Sequence, residues 1–586
     1  MPTREIVDAP TCSRVTSIVI SSLTARFGGD NYHSPVSIFR ADSTGDVLPL
    51  LTEVGLAVEG GLHAVGFISY EASPAFDSAL MCHPPIGFPL AWFALFEGPA
   101  KDSRDDCEYS VGSWQTLVDR ESYNESISAL RNRIAAGDTY QVNHTFPLEA
   151  SFKGDPLPWF KTVAQAQESN HAAFIDTGRF QIASFSPELF FRLENGILTT
   201  RPMKGTRPRG RWPEEDERMA RDLAESEKDR AENVMIVDLL RSDMGRISES
   251  GSVEVKSLFD VERYPTVWQM TSTIQSRTTA SVPEIFRALF PSGSVTGAPK
   301  VETMKIIREH EMYPRGVYCG AIGRWLPGGF AEFSVAIRTA VIDSEKGIAR
   351  YSVGSGITWD SSADAEYDEC LQKAKALTQP PMRASLLETL AFNGRFSYLD
   401  EHLDRMARSA NYFGFTFDPQ RIQTTLENAR IGANPARVRL ILSPEGAPSL
   451  EWETLTPLPA ILRVALAPVP VDSRDRMLFH KTTDRDLYTT ARNARADYDD
   501  AILWNERGEV TESTMANIVV QIDGKKYTPA VECGLLPGIF RAMILKAGVV
   551  SERAIHVDEL RRAQGIWLVN SVRGWMTATL ETPGQG

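Results

Sequence analysis

Ala374-Lys375-Ala376-Leu377-Thr378-Gln379-Pro380-Pro381-Met382-Arg383-Ala384-Ser385-Leu386-Leu387-Glu388-Thr389-Leu390 divides this chain. Upstream, residues 363–377 carry a helical pattern that runs into the two prolines. Proline lacks an amide hydrogen and fixes its own φ, so the pair ends the helix and stiffens a linker. Downstream, Leu386-Leu387-Glu388-Thr389-Leu390 reads as a strand and Asn393-Gly394 as a turn. A second strand is expected next, making a β-hairpin that opens a new domain. The break falls near residue 380, with residues 1–379 as one domain (core about 120–378) and residues 384–586 as another. A chain of 586 residues is too long for a single core.

Outward from this break, both parts mix helices and strands. Strands are expected at residues 182–185, 331–339, 437–442, 501–504 and 517–521, and a helix at 229–240. That mixture predicts an α+β class with a large, mostly antiparallel sheet in the first part. Hydrophobic residues make up 42% and charged residues 24%, the balance of a globular protein. The net charge of −14 argues against general nucleic-acid or membrane-surface binding. None of the six cysteines, Cys12, Cys82, Cys107, Cys319, Cys370 and Cys533, forms a Cys-x-x-Cys pair or stands at zinc spacing from a histidine. Reduced thiols in a cytoplasmic protein are the expectation. The apolar run at 15–23 is broken by serines and lacks a basic flank, so it does not read as a signal peptide. No apolar stretch is long enough to span a bilayer.

In Glu366-Tyr367-Asp368-Glu369-Cys370-Leu371-Gln372-Lys373, the residues Glu366, Glu369 and Lys373 share one helix face. A few hard oxygen ligands, with room left for water and a substrate carboxylate, suit Mg²⁺. An isolated Glu-x-x-Glu is ordinarily a solvated face, and the company of this one decides its reading. Ser186-Pro187-Glu188 comes first, then Pro202-Met203-Lys204-Gly205-Thr206-Arg207-Pro208-Arg209 and Ala231-Glu232-Asn233 running to Arg241-Ser242-Asp243. Gly293-Ser294-Val295-Thr296-Gly297-Ala298-Pro299-Lys300, Tyr318-Cys319-Gly320, Ala336-Ile337-Arg338-Thr339 and Gly354-Ser355-Gly356 follow.

In this order the set resembles the chorismate-utilising enzymes, which include anthranilate, aminodeoxychorismate, isochorismate and salicylate synthases. The resemblance is densest over residues 137–377 and, before that, touches only Gly66-Phe67-Ile68-Ser69-Tyr70-Glu71. It implies an anthranilate-synthase-like chorismate-binding α/β sandwich. By the same resemblance Glu232 and Glu369 are the Mg²⁺ ligands, with Glu366 beside them through water. Tyr318, Arg338 and the backbone of Gly354 and Gly356 are the seat of the enolpyruvyl carboxylate, and Gly205, Thr206 and Lys373 are neighbours of the ring. A guanidinium fork matches a carboxylate, and glycines admit an anion to backbone N–H groups.

Two positions select within the family. Where isochorismate-type enzymes place a water-activating lysine, this chain has Gln141. Lys204 stands where anthranilate synthases have a small residue, and a lysine there marks aminodeoxychorismate synthases. As nucleophile, Lys204 divides one hard displacement into two; Arg207 and a dry pocket would keep its amine neutral. By the same resemblance Glu188 would be the general acid for the departing hydroxyl. Gln269 stands where some relatives have histidine. The chain carries no recognisable glutaminase, so ammonia comes from solution or from a separate glutamine amidotransferase.

Past the prolines come His402-Leu403-Asp404-Arg405, His480-Lys481-Thr482-Thr483, Thr511-Glu512-Ser513-Thr514, Leu536-Pro537-Gly538-Ile539 and Asn570-Ser571-Val572-Arg573-Gly574. This series resembles the fold-type-IV pyridoxal-phosphate enzymes, namely branched-chain and D-amino-acid aminotransferases and aminodeoxychorismate lyase. It implies a two-lobed, branched-chain-aminotransferase-like fold, with the first strand shortened. Lys481 would hold pyridoxal 5′-phosphate and shuttle protons, and Glu512 would keep the pyridine nitrogen protonated. Arg405 would pair with the phosphate, joined by backbone N–H groups at Gly538-Ile539 and Ser571-Val572. A homodimer would form through this part. Together the two resemblances imply 4-aminobenzoate synthesis for folate, by amination of chorismate and then loss of pyruvate. The alternatives are a tail acting as an unrelated aminotransferase, a scaffold for the amidotransferase, or supply of a secondary-metabolite pathway.

Overall fold

The computed structural model describes residues 23–101, 107–378, 384–432 and 434–581. Cys12, most of the run at 15–23 and the proline pair at 380–381 lie outside the described residues. Contacts divide the chain into one unit of Met1–Pro208 with Ala220–Pro381 and another of Arg209–Met219 with Met382–Gly586. The expected first domain, residues 1–379, thus has an eleven-residue stretch that groups with the second unit.

In the first unit, two antiparallel sheets of ten strands each carry the architecture. One runs, strand beside strand, from Gln141–Gly154 through Ile348–Ile357, Thr339–Asp343, Phe180–Ser186 and His171–Asp176 to Thr24–Phe27. The other includes Met203–Pro208, Val267–Arg277, Ile197–Arg201, Leu189–Glu194, Phe330–Val335, Ala321–Leu326 and His63–Ile68. A core drawn from both sheets, with Phe27, Tyr32, Phe67, Trp92, Ile175, Ile182 and Ile322, packs them face to face. Helices Thr44–Glu59, Glu227–Gly245 and Val282–Leu289 cover the outer face of the second sheet through Leu50, Val54, Leu240 and Phe286. Helices Arg120–Ala135, Pro156–Gln167 and Ala363–Ala374 cover the first through Ile127, Phe160 and Tyr367. The unit is therefore an α/β sandwich of four layers.

The strand expected over residues 331–339 is two strands in different sheets. Phe330–Val335 pairs with Leu189–Glu194, whereas Thr339–Asp343 pairs with Phe180–Ser186. The chain crosses at Ala336-Ile337-Arg338, where Arg338 takes a φ of 49°. Apolar alternation continues through the crossing because both sheets share one core, so hydropathy alone does not mark it.

The second unit has two lobes. In the smaller, Leu386–Phe392, Ala436–Leu442 and Pro448–Thr454 form an antiparallel sheet under helices Leu399–Phe413 and Pro419–Glu427. The larger holds a mixed eight-stranded sheet that includes Leu462–Leu466, Asp500–Trp504, Val510–Ser513, Asn517–Ile522, Gly565–Asn570 and Gly574–Leu580. The hairpin expected at Asn393-Gly394 does not form. Beyond a single bridge, Phe392 to Phe396, the chain enters helix Leu399–Phe413. Leu399, Leu403, Met406, Ala410 and Phe413 recur at helical spacing and pack on the sheet, and the true strand partner is Ala436–Leu442. Among the described residues the five cysteines are free, and no helix is long and apolar enough to cross a membrane.

Candidate active sites

A cavity of about 350 Å³ in the first unit is lined by Glu188, Lys204, Gly205, Thr206, Glu232, Tyr318, Arg338, Gly354, Gly356, Glu366, Glu369 and Lys373. Every residue expected at the first site meets there, from two sheets and two helices. Lys204 stands on edge strand Met203–Pro208, and burial pushes its amine below the ordinary lysine value against the pull of Glu232 and Glu188. Gly356 makes room for it: a Cβ there would lie 2.3 Å from Gln141 Nε2 and 3.2 Å from Lys204 Nζ.

The cation expected to hold Lys204 neutral is corrected. Arg207 donates to Asp229 at 2.7 Å, and the charge that opposes protonation of Lys204 is that of Lys373. Glu188 is buried, which pushes its carboxyl up to about 7, while Ser294 Oγ donates to its Oε1 at 2.6 Å. Such a carboxyl keeps a proton near neutral pH, as an acid for a leaving hydroxyl must. Gln269 braces the irregular stretch of strand beside Lys204. Its Nε2 donates to Gly205 O at 2.9 Å and its Oε1 accepts from Thr206 Oγ1 at 3.1 Å. It thereby clamps a strand irregularity at which Gly205 has a φ of +91°.

Arg338 lines the cavity. Burial lowers its proton affinity, and its side chain donates to the neutral Gln167 Oε1 at 3.3 Å. A desolvated guanidinium that donates to a neutral amide suits a ligand carboxylate. Lys373 is already engaged, donating to Gly354 O at 2.9 Å and pairing with Glu369 at 2.8 Å. Among the described residues no three acidic, cysteine or histidine side chains converge on a point that could hold a metal. The donors still fit Mg²⁺ in kind. Burial raises the Glu232 carboxyl against the pull of Lys204 and Lys228, Asp229 and Glu366 add to the rise, and Glu232, Glu366 and Glu369 supply hard oxygen donors to one cavity. Mg²⁺ takes few protein ligands and fills its sphere with water and substrate oxygens.

A second cavity, of about 290 Å³, lies in the other unit and is lined by Arg405, Lys481, Glu512, Gly538, Ile539 and Ser571 among others. Lys481 sits between a 3₁₀ turn and helix Asp486–Asn493, its carbonyl accepting from Leu387 N at 2.9 Å. Burial, with Arg485 and Arg405 adding to it, brings its amine down to about 7. Glu512 is buried and raised to about 7; it accepts from Tyr488 OH at 2.9 Å and from Asn517 Nδ2 at 3.3 Å. Gly538 precedes helix Ile539–Lys546, and a Cβ there would lie 2.0 Å from Asn517 Oδ1.

Two expectations for the phosphate cup change. The Arg405 fork is turned on Glu388, at 2.8 and 2.6 Å, and its Nη1 donates to Pro537 O. Burial alone would raise Glu388, but Arg405 and His402 hold it down at about 2. The N–H of Val572 is taken by Asn570 Oδ1 at 3.1 Å, while Ser571 Oγ meets His402 Nε2 at 3.0 Å. What remains for a phosphate is the first turn of helix Ile539–Lys546, the Ser571 hydroxyl and the remaining face of Arg405. With a half-buried amine at one side and a buried carboxyl at another, this cavity fits pyridoxal phosphate.

Ser294, Asn143, Tyr488 and Glu388 had no role assigned from sequence. Ser294 lies in the stretch Gly293-Ser294-Val295-Thr296-Gly297, but its partner is 106 residues away, which no local spacing encodes.

Residues 99–379 match the chorismate binding enzyme family, and residues 385–580 match amino-transferase class IV. Aminodeoxychorismate synthase component 1 of Salmonella typhimurium is 42% identical over 272 residues, 46% of this chain and 60% of its own length. Anthranilate synthase component 1 of Methanothermobacter thermautotrophicus is 34% identical over 346 residues, 54% of this chain and 73% of its own. Among solved structures, anthranilate synthase component I from Streptococcus pneumoniae is similar with a TM-score of 0.54 and 26% identity, covering 65% of this chain and 95% of that one. The chain spans 35–65% of the length of six curated aminodeoxychorismate synthases it matches. On its sandwich fold, the constellation around Lys204 and these likenesses, the chain belongs to the chorismate-binding enzymes, with a class IV aminotransferase domain following in the same polypeptide.

Proposed function

We propose that this chain makes 4-aminobenzoate in two steps, aminating chorismate in the first unit and releasing pyruvate from the product in the second. The observation that carries the reading is the enclosure of Lys204, depressed by burial, in one cavity with Glu188, raised to about 7. A neutral amine and a protonated carboxyl are the pair that a displacement of hydroxyl needs. The Lys204 amine forms a bond at ring C2 while the C4 hydroxyl leaves with the proton of Glu188 as water. Ammonia then bonds at C4 and expels Lys204, giving 4-amino-4-deoxychorismate. Arg338 and Tyr318 hold the enolpyruvyl carboxylate. Mg²⁺, held by Glu232 and Glu369 with Glu366 beside it, would neutralise the ring carboxylate. Ammonia comes from a glutamine amidotransferase partner.

In the second cavity, pyridoxal phosphate would supply an electron sink conjugated to the C4 amine. Lys481 would hold the cofactor and take the C4 proton. Glu512 keeps a proton on the pyridine nitrogen, and its burial among Tyr488 and Asn517 fixes its position. The ring C3–O bond would then break, the ring becoming aromatic, and the enolpyruvate released would take up a proton on its methylene carbon to become pyruvate. A cytoplasmic folate role, and a homodimer through this unit, belong to the same reading.

The test of this reading is the absorbance of the purified protein. A chromophore of bound pyridoxal phosphate, bleached by borohydride and missing in Lys481→Ala, is expected. A native protein that takes up no pyridoxal phosphate would overturn the second step.

A further inference from the structure

The eleven residues Arg209–Met219 group with the second unit although the chain on either side of them belongs to the first. They follow directly on the strand Met203–Pro208 that carries Lys204. Their own geometry is tight. Arg209 pairs with Asp216 through two bonds of 2.7 Å, and Gly210 N donates to the same carboxylate at 2.9 Å. A Cβ on Gly210 would lie 2.2 Å from Asp216 N, so glycine permits the approach.

What this stretch meets is the segment that precedes Lys481. Trp212 is 9% exposed and stacks on Phe479, with ring centroids 5.0 Å apart and 28° between the planes. The Arg211 guanidinium lies 4.7 Å over the Trp212 ring and 5.5 Å over that of Phe479, and it donates to Ser473 O at 3.2 Å. Tyr412 OH donates to Gly210 O at 2.7 Å, and Arg209 donates to Tyr412 O at 3.0 Å. The Tyr412 ring in turn lies 4.3 Å from that of His480. Burial brings the His480 imidazole down to about 3, so it stays neutral and adds no charge beside the lysine.

Phe479 is thus gripped by Trp212, and His480 by Tyr412, which Arg209 and Gly210 hold. The 3₁₀ turn Arg476–Phe479 ends here and His480 is extended. Lys481 therefore takes its place from these two predecessors and from the bond between its carbonyl and Leu387 N. Trp212 also packs in one cluster with Leu478, Leu503 and Tyr488, and Tyr488 donates to Glu512. One buried indole backs both the lysine and the carboxyl of the second cavity.

We propose that Arg209–Trp212 is a positioning element for Lys481, with Trp212 as its central residue, supplied to the second cavity by the stretch of chain that follows the Lys204 strand. This rests on the reading that Lys481 holds pyridoxal phosphate. The preorganised segment spares the cofactor the ordering of its lysine on binding.

The test compares the native full-length chain with Trp212→Ala, Trp212→Phe and Arg211→Gln, each checked by thermal unfolding. The first readout is uptake of pyridoxal phosphate, followed by absorbance. Trp212→Ala should need about tenfold more cofactor or beyond for half-loading, Trp212→Phe should restore most of the loss, and Arg211→Gln should fall between. The second readout needs no cofactor: acylation of Lys481 by acetic anhydride across pH, read by peptide mass spectrometry. Its charged neighbours Arg485, Arg405, Glu388 and Glu512 are untouched by these substitutions. In Trp212→Ala the midpoint should move up from about 7 toward the ordinary lysine value, as water reaches a loosened segment. Amination of chorismate should stay near the native rate, since the Lys204 strand keeps its pairing with Val267–Arg277. Native loading and a native Lys481 midpoint in Trp212→Ala overturn the proposal. So does a loss of loading that follows a lowered unfolding temperature while the Lys481 midpoint stays put, which marks Trp212 as structural. Should Trp212→Ala fail to fold, Arg211→Gln decides by the same two readouts. A native chain that takes up no pyridoxal phosphate, but whose Lys481 midpoint moves in Trp212→Ala, overturns the cofactor reading and leaves the positioning role standing.

Discussion

Ser294 Oγ donates a 2.6 Å hydrogen bond to Oε1 of Glu188, inside the cavity that also holds Lys204. Burial drives the Glu188 carboxyl up to about 7, and this bond restrains it by favouring the charged form. The pair sets the pH at which an acid is available to the departing hydroxyl.

An acid works only while protonated, so amination at constant free ammonia should decline as pH rises through about 7. Ser294→Ala removes a bond that favours the carboxylate, and the descending limb should move to higher pH. Glu188→Gln should abolish the limb and lower the rate by about 10²- to 10⁴-fold. The pH profile of chorismate consumption measures all three. A limb unmoved by both substitutions would assign it to another group.

Gln269→Ala removes both bonds that clamp Gly205 and Thr206. Since the strand that carries Lys204 stays paired with Val267–Arg277, the fold should survive. Amination should fall about tenfold or more, because a small misplacement of a reacting group is costly. Steady-state rates with chorismate and ammonium decide this, and wild-type kcat in the variant would leave the clamp without a catalytic consequence.

Glu388 is buried, held at about 2 by Arg405 and His402 against an ordinary value of 4.5. Its folded value lies below its unfolded one, so its contribution is present above about 4.5 and is lost as pH falls toward 2. That contribution is on the order of 3 kcal/mol. Thermal unfolding of the second unit should therefore shift steeply downward below pH 4.5. Glu388→Ala leaves Arg405 buried without a partner and should cost about 3–5 kcal/mol at neutral pH. An unfolding midpoint equal to that of the native protein would show the pair to be idle.

Glu232→Gln and Glu369→Gln each replace a carboxylate by an amide, a poorer ligand for a hard dication. Both variants should need at least about tenfold more Mg²⁺ for half-maximal amination. Full native activity in EDTA would make these carboxylates structural.

Much of both sites was legible because the chemistry is carried by short motifs. Lys204, Glu232, Arg338 and Glu369 stand in separate stretches, and the fold brings them to one cavity. Likewise Lys481, Glu512 and Gly538 meet in the second. What escaped the sequence is what depends on pairing across distance. Leu386–Phe392 finds its partner more than forty residues on, so Asn393-Gly394 resembles a hairpin turn without being one. Arg405 reads as a free phosphate fork because nothing local reveals its pairing with Glu388, seventeen residues before it. The break at Arg338 is hidden because the apolar pattern runs through it, and only a φ of 49° betrays the change of sheet.

Whether one chain carries out both steps is decided by product analysis of the purified protein. With chorismate, ammonium, Mg²⁺ and pyridoxal phosphate, the native chain should release 4-aminobenzoate and pyruvate in equal amounts. Lys204→Ala should stop both products. Lys481→Ala should stop both while 4-amino-4-deoxychorismate accumulates. Anthranilate as the main product of the native chain, or 4-aminobenzoate released at the native rate by Lys481→Ala, would refute the two-step reading.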